Sequence, residues 1–141
     1  MRAIGLDVGS KTIGIAVSDE MGFAAHPTKV LARAGTDLDV AAVLELIASY
    51  SATALIVGIP YELSGNEGTR AKRVRVFAQA LKKRLPATVE YFETDERFTT
   101  AQAERVLLDA GLRRDRRKEV IDQQAAALIL QGWLDVQARK R

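Results

Sequence analysis

Three observations predict an α/β fold, a mixed sheet with helices on its faces, for this 141-residue sequence. The chain opens with two stretches of strict apolar alternation, Ile4-Leu6-Val8 and Ile13-Ile15-Val17, joined by Gly9-Ser10-Lys11, a segment of hairpin-turn composition. Thr53-Ala54-Leu55-Ile56-Val57-Gly58 is a short continuous apolar run, the pattern of a central strand buried on both faces. Between and after these stretches lie segments whose apolar residues recur at helical spacing. The order reads β-hairpin, a third strand, then α-β-α-β-α-α, which places helices against a sheet and a site at the carboxyl ends of strands.

In the opening hairpin the apolar positions alternate with Gly5, Asp7 and Gly9 on one strand and with Gly14, Ala16 and Ser18 on the next. Each strand thus has one apolar face and one of very small residues, with Asp7 the only large group on the small face of the first. Glycine in a strand permits close approach of another backbone or ligand. The expectation is a ligand over this face, with Asp7 holding a metal or a catalytic water against it; the alternative is a hydrogen-bonded Asp beside a turn. Ala25 to Leu31 reads as a possible third strand, which Pro27 restricts to an edge or a late start. Thr36-Asp37 heads a helix in which Leu38, Val40, Ala41, Val43, Leu44 and Ile47 keep helical spacing to about Ser49. After Gly58-Ile59-Pro60 a turn-rich loop leads to a helix from Thr69 to Arg84 that buries Val74, Phe77, Ala78 and Leu81. Pro86 ends it, and Thr88 to Phe92 is the next strand. Thr99 with Gln102 has capping-box spacing, so a helix is expected from about Thr100 to Ala110, ending at Gly111. A basic loop, Leu112 to Lys118, precedes a last helix from about Glu119 to Ala138.

The size allows one core, and no linker or repeat divides it, so residues 1–141 read as a single domain. With no cysteine there is no disulfide, thiolate metal site or thiol nucleophile, which fits a reducing, cytoplasmic setting. The single histidine, His26, excludes chemistry that needs two. No signal peptide and no apolar run of membrane-spanning length is expected. Catalysis would have to come from carboxylates, hydroxyls or lysines. The net charge is only +3, yet Arg70, Lys72, Arg73, Arg75, Lys82, Lys83 and Arg84 form a run without an acid. Arg113, Arg114, Arg116, Arg117 and Lys118 face only Asp115. Clustering of this kind suits a polyanion, although a solvated helix face has the same composition.

Three acids stand out by position. Asp7 lies within the first strand, and Glu96 lies just past the last one, where an ion pair with Arg97 is the simpler reading. Asp122 heads a stripe with Ala126, Ile129 and Trp133 and so faces the sheet, unless it serves only the helix dipole. Together the three could meet at one point. Clustered carboxylates without histidine suit Mg²⁺ or Mn²⁺, and such ions beside phosphates are recurrent apparatus for phosphodiester cleavage.

Ile4-Gly5-Leu6-Asp7-Val8-Gly9-Ser10-Lys11, Ala16-Val17-Ser18-Asp19, Val57-Gly58-Ile59-Pro60, Asp95-Glu96-Arg97-Phe98-Thr99-Thr100 and Ile121-Asp122-Gln123-Gln124-Ala125-Ala126 occur in that order. Together they resemble the YqgF/RuvX family, pre-16S ribosomal RNA nucleases or Holliday-junction-resolvase homologues. The resemblance implies a ribonuclease H-like fold with a five-stranded sheet flanked by helices. It also implies a metal-dependent nuclease site of Asp7, Glu96 and Asp122, a role in maturing the 5′ end of 16S rRNA, and Lys11, Arg97 and Thr100 near the site. Ribonuclease H-like nucleases usually carry four acids, and Asp95 or Asp19 could supply the fourth. Arg70, Arg73, Arg113, Arg114, Arg116 and Arg117 would hold the nucleic-acid backbone with little sequence readout. Branched DNA as the substrate, or a non-catalytic RNA-binding role in ribosome assembly, fits the same residues. An actin-like ATPase would need two such halves. A monomer and a dimer are both compatible, although symmetric cutting of a four-way junction needs two copies.

Overall fold

A computed structural model describes residues 1–62, 64–96 and 114–140, the first ten of the last stretch in backbone only. The strands are β1 (Ala3–Val8), β2 (Thr12–Ser18), β3 (Ala25–Ala32), β4 (Ala54–Ile59) and β5 (Glu90–Asp95). The helices are α1 (Thr36–Ser49), α2 (Thr69–Arg84) and α3 (Arg114–Arg139). One five-stranded sheet has the order β3-β2-β1-β4-β5. β2 runs antiparallel to both β1 and β3, while β1, β4 and β5 are parallel, so the mixed sheet expected from the sequence is present. β3 is an edge strand that starts before Pro27, so of the two expectations the edge holds and the late start does not. Its register with β2 shifts between Ile15 and Ala16, which takes up the proline without breaking a central ladder.

Alternation along the strands divides the core. Ile4, Leu6, Val8, Ile13, Ile15, Leu55, Val57 and Ile59 pack against Val40, Val43 and Ile47 of α1 and Val74, Phe77 and Leu81 of α2. Each such aliphatic, fully buried, contributes about 1.5–3 kcal/mol. On the opposite face Ala3, Ala16, Ala54 and Ile56 meet Ala126, Ile129, Leu130, Trp133 and Leu134 of α3. Phe92 stacks against Trp133 with ring centroids 4.9 Å apart, so the expected inward stripe of α3 is in place at Ala126, Ile129 and Trp133. Gln131 fastens the helix to the sheet edge: its Oε1 accepts the Ala25 N–H at 2.8 Å and its Nε2 donates to the Phe23 carbonyl at 2.9 Å.

The small face of β1 is therefore covered by a helix where the sequence suggested a ligand. A Cβ placed on Gly5 would lie 2.7 Å from Leu130 Cβ and 3.1 Å from the Ala126 carbonyl oxygen. Glycine there lets the α3 backbone come down onto the sheet. The expected basic loop also differs, because Arg114 to Lys118 belong to α3, which begins before Glu119. Arginine and lysine are good helix formers, and a charged run lacks the apolar periodicity by which a helix is recognised in sequence. α1 starts at Thr36 after Gly35 with no side-chain cap at that position, and Leu38 is exposed. The helix expected from Thr100 to Ala110 lies outside the described residues. No helix among the described residues is long and apolar enough to cross a membrane.

Candidate active site

Parallel pairing brings the carboxyl ends of β1, β4 and β5 together, and the two described acids sit there. Leu6 pairs with Val57, which puts Asp7 beside Gly58 at the next position of the two strands. The Glu96 N–H donates to the Ile59 carbonyl at 3.1 Å, carrying the β4–β5 ladder one residue past β5. Gly58 is the recess between the two acids. A Cβ on it would lie 2.6 Å from Glu96 Oε2 and 2.5 Å from Ile129 Cδ1, so any larger residue would displace the carboxylate or the helix.

Glu96 is buried, and its carboxyl makes a hydrogen bond with that of Asp7. Burial first, and then the charge and hydrogen bond of Asp7, push Glu96 up to about 8, with Arg70 opposing and Asp95 adding a little. At neutral pH Glu96 therefore holds a proton beside Asp7. A buried carboxyl beside a half-buried one offers a set of oxygen donors, and all-oxygen donors suit a hard divalent ion. Asp7 also lines an open cleft of about 750 Å³ between the β1–β2 turn and the start of α2, together with Lys11, Arg33, Arg70 and Arg73.

The other sequence candidates separate. Asp19 lies beyond the amino end of β1, about 17 Å of strand from Asp7 by the β1–β2 register. Its Oδ1 accepts the N–H groups of Phe23 and Ala24 at 2.8 and 3.2 Å; with the Ala24 bond foremost, these hold its carboxyl below the usual range. It shapes a turn and is not a fourth acid. Asp95 is exposed next to Glu96. The Asp122 backbone is in α3, but its side chain lies outside the described residues, as do Arg97, Thr100 and Arg113 entirely and the side chains of Arg114, Arg116 and Arg117. Among the described residues no group of three acids or histidines forms a metal-binding cluster.

A family described as RuvX: Holliday junction resolvase matches residues 1–136. The chain belongs to the RuvX family. A Moorella thermoacetica relative is 47% identical over 135 residues, covering 96% of this chain and 95% of the relative. One from Myxococcus xanthus is 46% identical over 135 residues, covering 96% and 88%. Both are named "Putative pre-16S rRNA nuclease". Among solved structures, T. thermophilus RuvC in complex with Holliday junction substrate superposes with a TM-score of 0.62 at 18% identity, covering 98% of this chain and 96% of that one. The Fowlpox virus resolvase in complex with Holliday junction DNA gives 0.53 at 10% identity, covering 99% and 97%. These likenesses establish the resolvase-type, ribonuclease H-like fold.

In this RuvX-family chain the basic run of α2 is not one uniform face. Arg70 and Arg73 line the cleft. Arg75 is committed elsewhere: it pairs with Glu67, donates through Nη1 to both Glu93 oxygens at 2.9 and 3.0 Å, and reaches the Tyr61 hydroxyl at 3.2 Å. Lys82 lies over the Tyr91 ring, 4.7 Å from its centroid. The acids that neutralise the run come from other elements, so a local charge tally overstates it. Sequence reading also passed over Gly58 as a recess and Arg33 and Asp39 altogether. The motif containing Gly58 was visible; nothing local marks Arg33 or Asp39.

Proposed function

We propose that this chain is a metal-dependent endonuclease that processes the 5′ end of pre-16S rRNA, with Asp7, Glu96 and Asp122 as its site acids. It is a nuclease by family, hydrolysing phosphodiester bonds. The observation that carries the reading is the Asp7–Glu96 carboxyl pair, gathered at the ends of parallel strands beside a cleft lined by Lys11, Arg70 and Arg73. Direction along α3 supports Asp122 as the third acid. Trp133 and Leu134 lie near Ala3, and Leu130 over Gly5, so the helix runs towards the Asp7 end of β1 as its numbering falls. Asp122 is two turns before Leu130, about 12 Å along the axis, at the end of the sheet that holds Asp7 and Glu96.

The donor set fits Mg²⁺ or Mn²⁺ held by Asp7, Glu96 and Asp122. Such an ion, when bound, supplies charge stabilisation at a phosphodiester and lowers the pKa of water. The residues do the rest. Gly58 keeps the Asp7 and Glu96 carboxyls converged. A cation held there would favour the ionised form of Glu96, offsetting the burial and the Asp7 charge that raise it. Arg70, Arg73 and Lys11 bind phosphates and hold the strand in register without reading bases. Arg97, Arg113, Arg114, Arg116 and Arg117 are proposed to extend that backbone contact. The names of the 47% and 46% identical relatives favour an RNA precursor over branched DNA.

The test is cleavage of a labelled precursor 16S rRNA fragment, an unrelated single-stranded RNA and a four-way DNA junction, each with Mg²⁺, Mn²⁺ or EDTA. The expected result is metal-dependent cutting of the precursor, which Asp7→Asn lowers about 100-fold or more, the loss of roughly 2.7 kcal/mol of transition-state stabilisation, while RNA affinity stays within about twofold. Preferred cutting of the junction would replace the RNA reading with resolution. RNA binding with no cutting under any metal would leave a non-catalytic assembly factor.

A further inference from the structure

We propose that Arg33 is a positioning residue for the nuclease site, clamping the β1–β2 turn so that Asp7 is held at a fixed height in the cleft. The proposal rests on the nuclease reading given above. Arg33 holds the turn at two points: its Nη1 donates to the Gly9 carbonyl at 2.8 Å, and its backbone N–H donates to the Lys11 carbonyl at 2.9 Å. Within the turn the Gly9 N–H donates to the Thr12 carbonyl at 2.8 Å. The carbonyls on either side of Ser10 are thus tied to one residue just past the end of β3.

The guanidinium is held by two further contacts. Nε donates to Asp39 Oδ2 at 2.7 Å, and the guanidinium carbon lies 5.3 Å from the Phe77 ring centroid. Asp39 is buried, and its other oxygen accepts the Ala34 N–H at 2.9 Å. One side chain therefore joins the end of β3, the first turn of α1, α2 through Phe77, and the turn that follows Asp7. The fork of Arg is what allows this. A lysine ammonium has no planar pair of donors to reach Asp39 and Gly9 together. Arg33 lines the same cleft as Asp7, Lys11, Arg70 and Arg73, but its Nε and Nη1 are taken by Asp39 and Gly9, so its influence on the substrate passes through the turn.

The test compares Arg33→Lys and Arg33→Met with the wild-type chain, after confirming by circular dichroism that each variant is folded. Two quantities are read: steady-state cleavage of the preferred oligonucleotide at saturating Mg²⁺, and hydrogen exchange of the Gly9 amide. A misplaced reacting group costs rate without costing phosphate contacts. The expected result is a kcat about tenfold lower in both variants, KM and oligonucleotide Kd within about twofold, and Gly9 exchange about tenfold faster. Full rescue of kcat by lysine, or a loss confined to KM and Kd, would overturn the proposal and make Arg33 a direct phosphate ligand. If the wild-type chain cuts nothing, the nuclease reading falls, and the clamp is then judged by the Gly9 amide, whose unchanged exchange in Arg33→Met overturns it.

Discussion

The two faces of the sheet solve the packing problem in opposite ways. Towards α1 and α2 the strands present Ile4, Leu6, Val8, Ile13 and Ile15, and the helices stand off at the distance such side chains impose. Towards α3 they present Ala3, Gly5, Ala16 and Gly58, and the helix descends until Leu130 Cβ would touch a methyl on Gly5. The bulky face supplies the larger share of hydrophobic stabilisation. The small face lets the α3 backbone come down onto β1, the close approach that the proposed joining of Asp122 to the strand acids would use. Stability and chemistry are thereby assigned to different sides of the same strands, residue by alternate residue.

Placing alanine at two adjacent positions of β1 tests the difference most directly. Leu6→Ala empties a fully buried site and is expected to cost about 2–5 kcal/mol. Gly5→Ala adds one methyl against the Leu130 Cβ and the Ala126 carbonyl and is expected to cost about 1–3 kcal/mol. Urea titration of both variants measures the two costs. A neutral Gly5→Ala would show that α3 can retreat and would remove the reason for glycine on that face.

A smaller effect, of opposite sign, belongs to Glu96. Its folded pKa of about 8 stands above the ordinary value of 4.5, so between those values the folded state holds a proton that the unfolded state has released. The stability this lends is complete below about 4.5 and disappears as pH rises through about 8. Glu96→Gln, which carries no charge to bury, is expected to be more stable than the wild type by about 1–2 kcal/mol at pH 9 in EDTA, and to lose that advantage at pH 4.5. Thermal melts at the two pH values check it. Equal pH dependence in the two chains would show that the pair is not strained.

The smallest effect separates the two parts of α2. Arg70→Ala or Arg73→Ala should reduce the slope of log affinity for single-stranded RNA against log salt by about 0.7 each, as expected when one phosphate is no longer neutralised. Arg75→Ala should leave that slope unchanged, because its guanidinium is taken by Glu67, Glu93 and Tyr61. Fluorescence anisotropy across a salt series distinguishes them. A slope that falls equally for Arg75→Ala would restore the whole helix as a phosphate track.

Much of this was legible before any fold was known. Period-two alternation marked β1 and β2, the continuous apolar run marked β4, and Val74, Phe77, Ala78 and Leu81 marked the buried side of α2, because each pattern is set by neighbours a few residues away. The order of motifs from Ile4 to Ala126 carried the family. What the sequence by itself determined, then, was the order of the described strands and helices though not where α3 begins, the placing of Asp7 within the first strand and Glu96 just past the last, and the family to which they belong. Only the tertiary structure decided that a helix fills the glycine face, that Gly58 leaves the space taken by the Glu96 carboxyl, that Arg75 is spent on acids, and that Arg33 grips the turn after Asp7. Each of these is a contact between residues distant in the chain, brought together by parallel strand register and by the close approach of α3. Local periodicity records which face a residue takes; it does not record what will stand opposite.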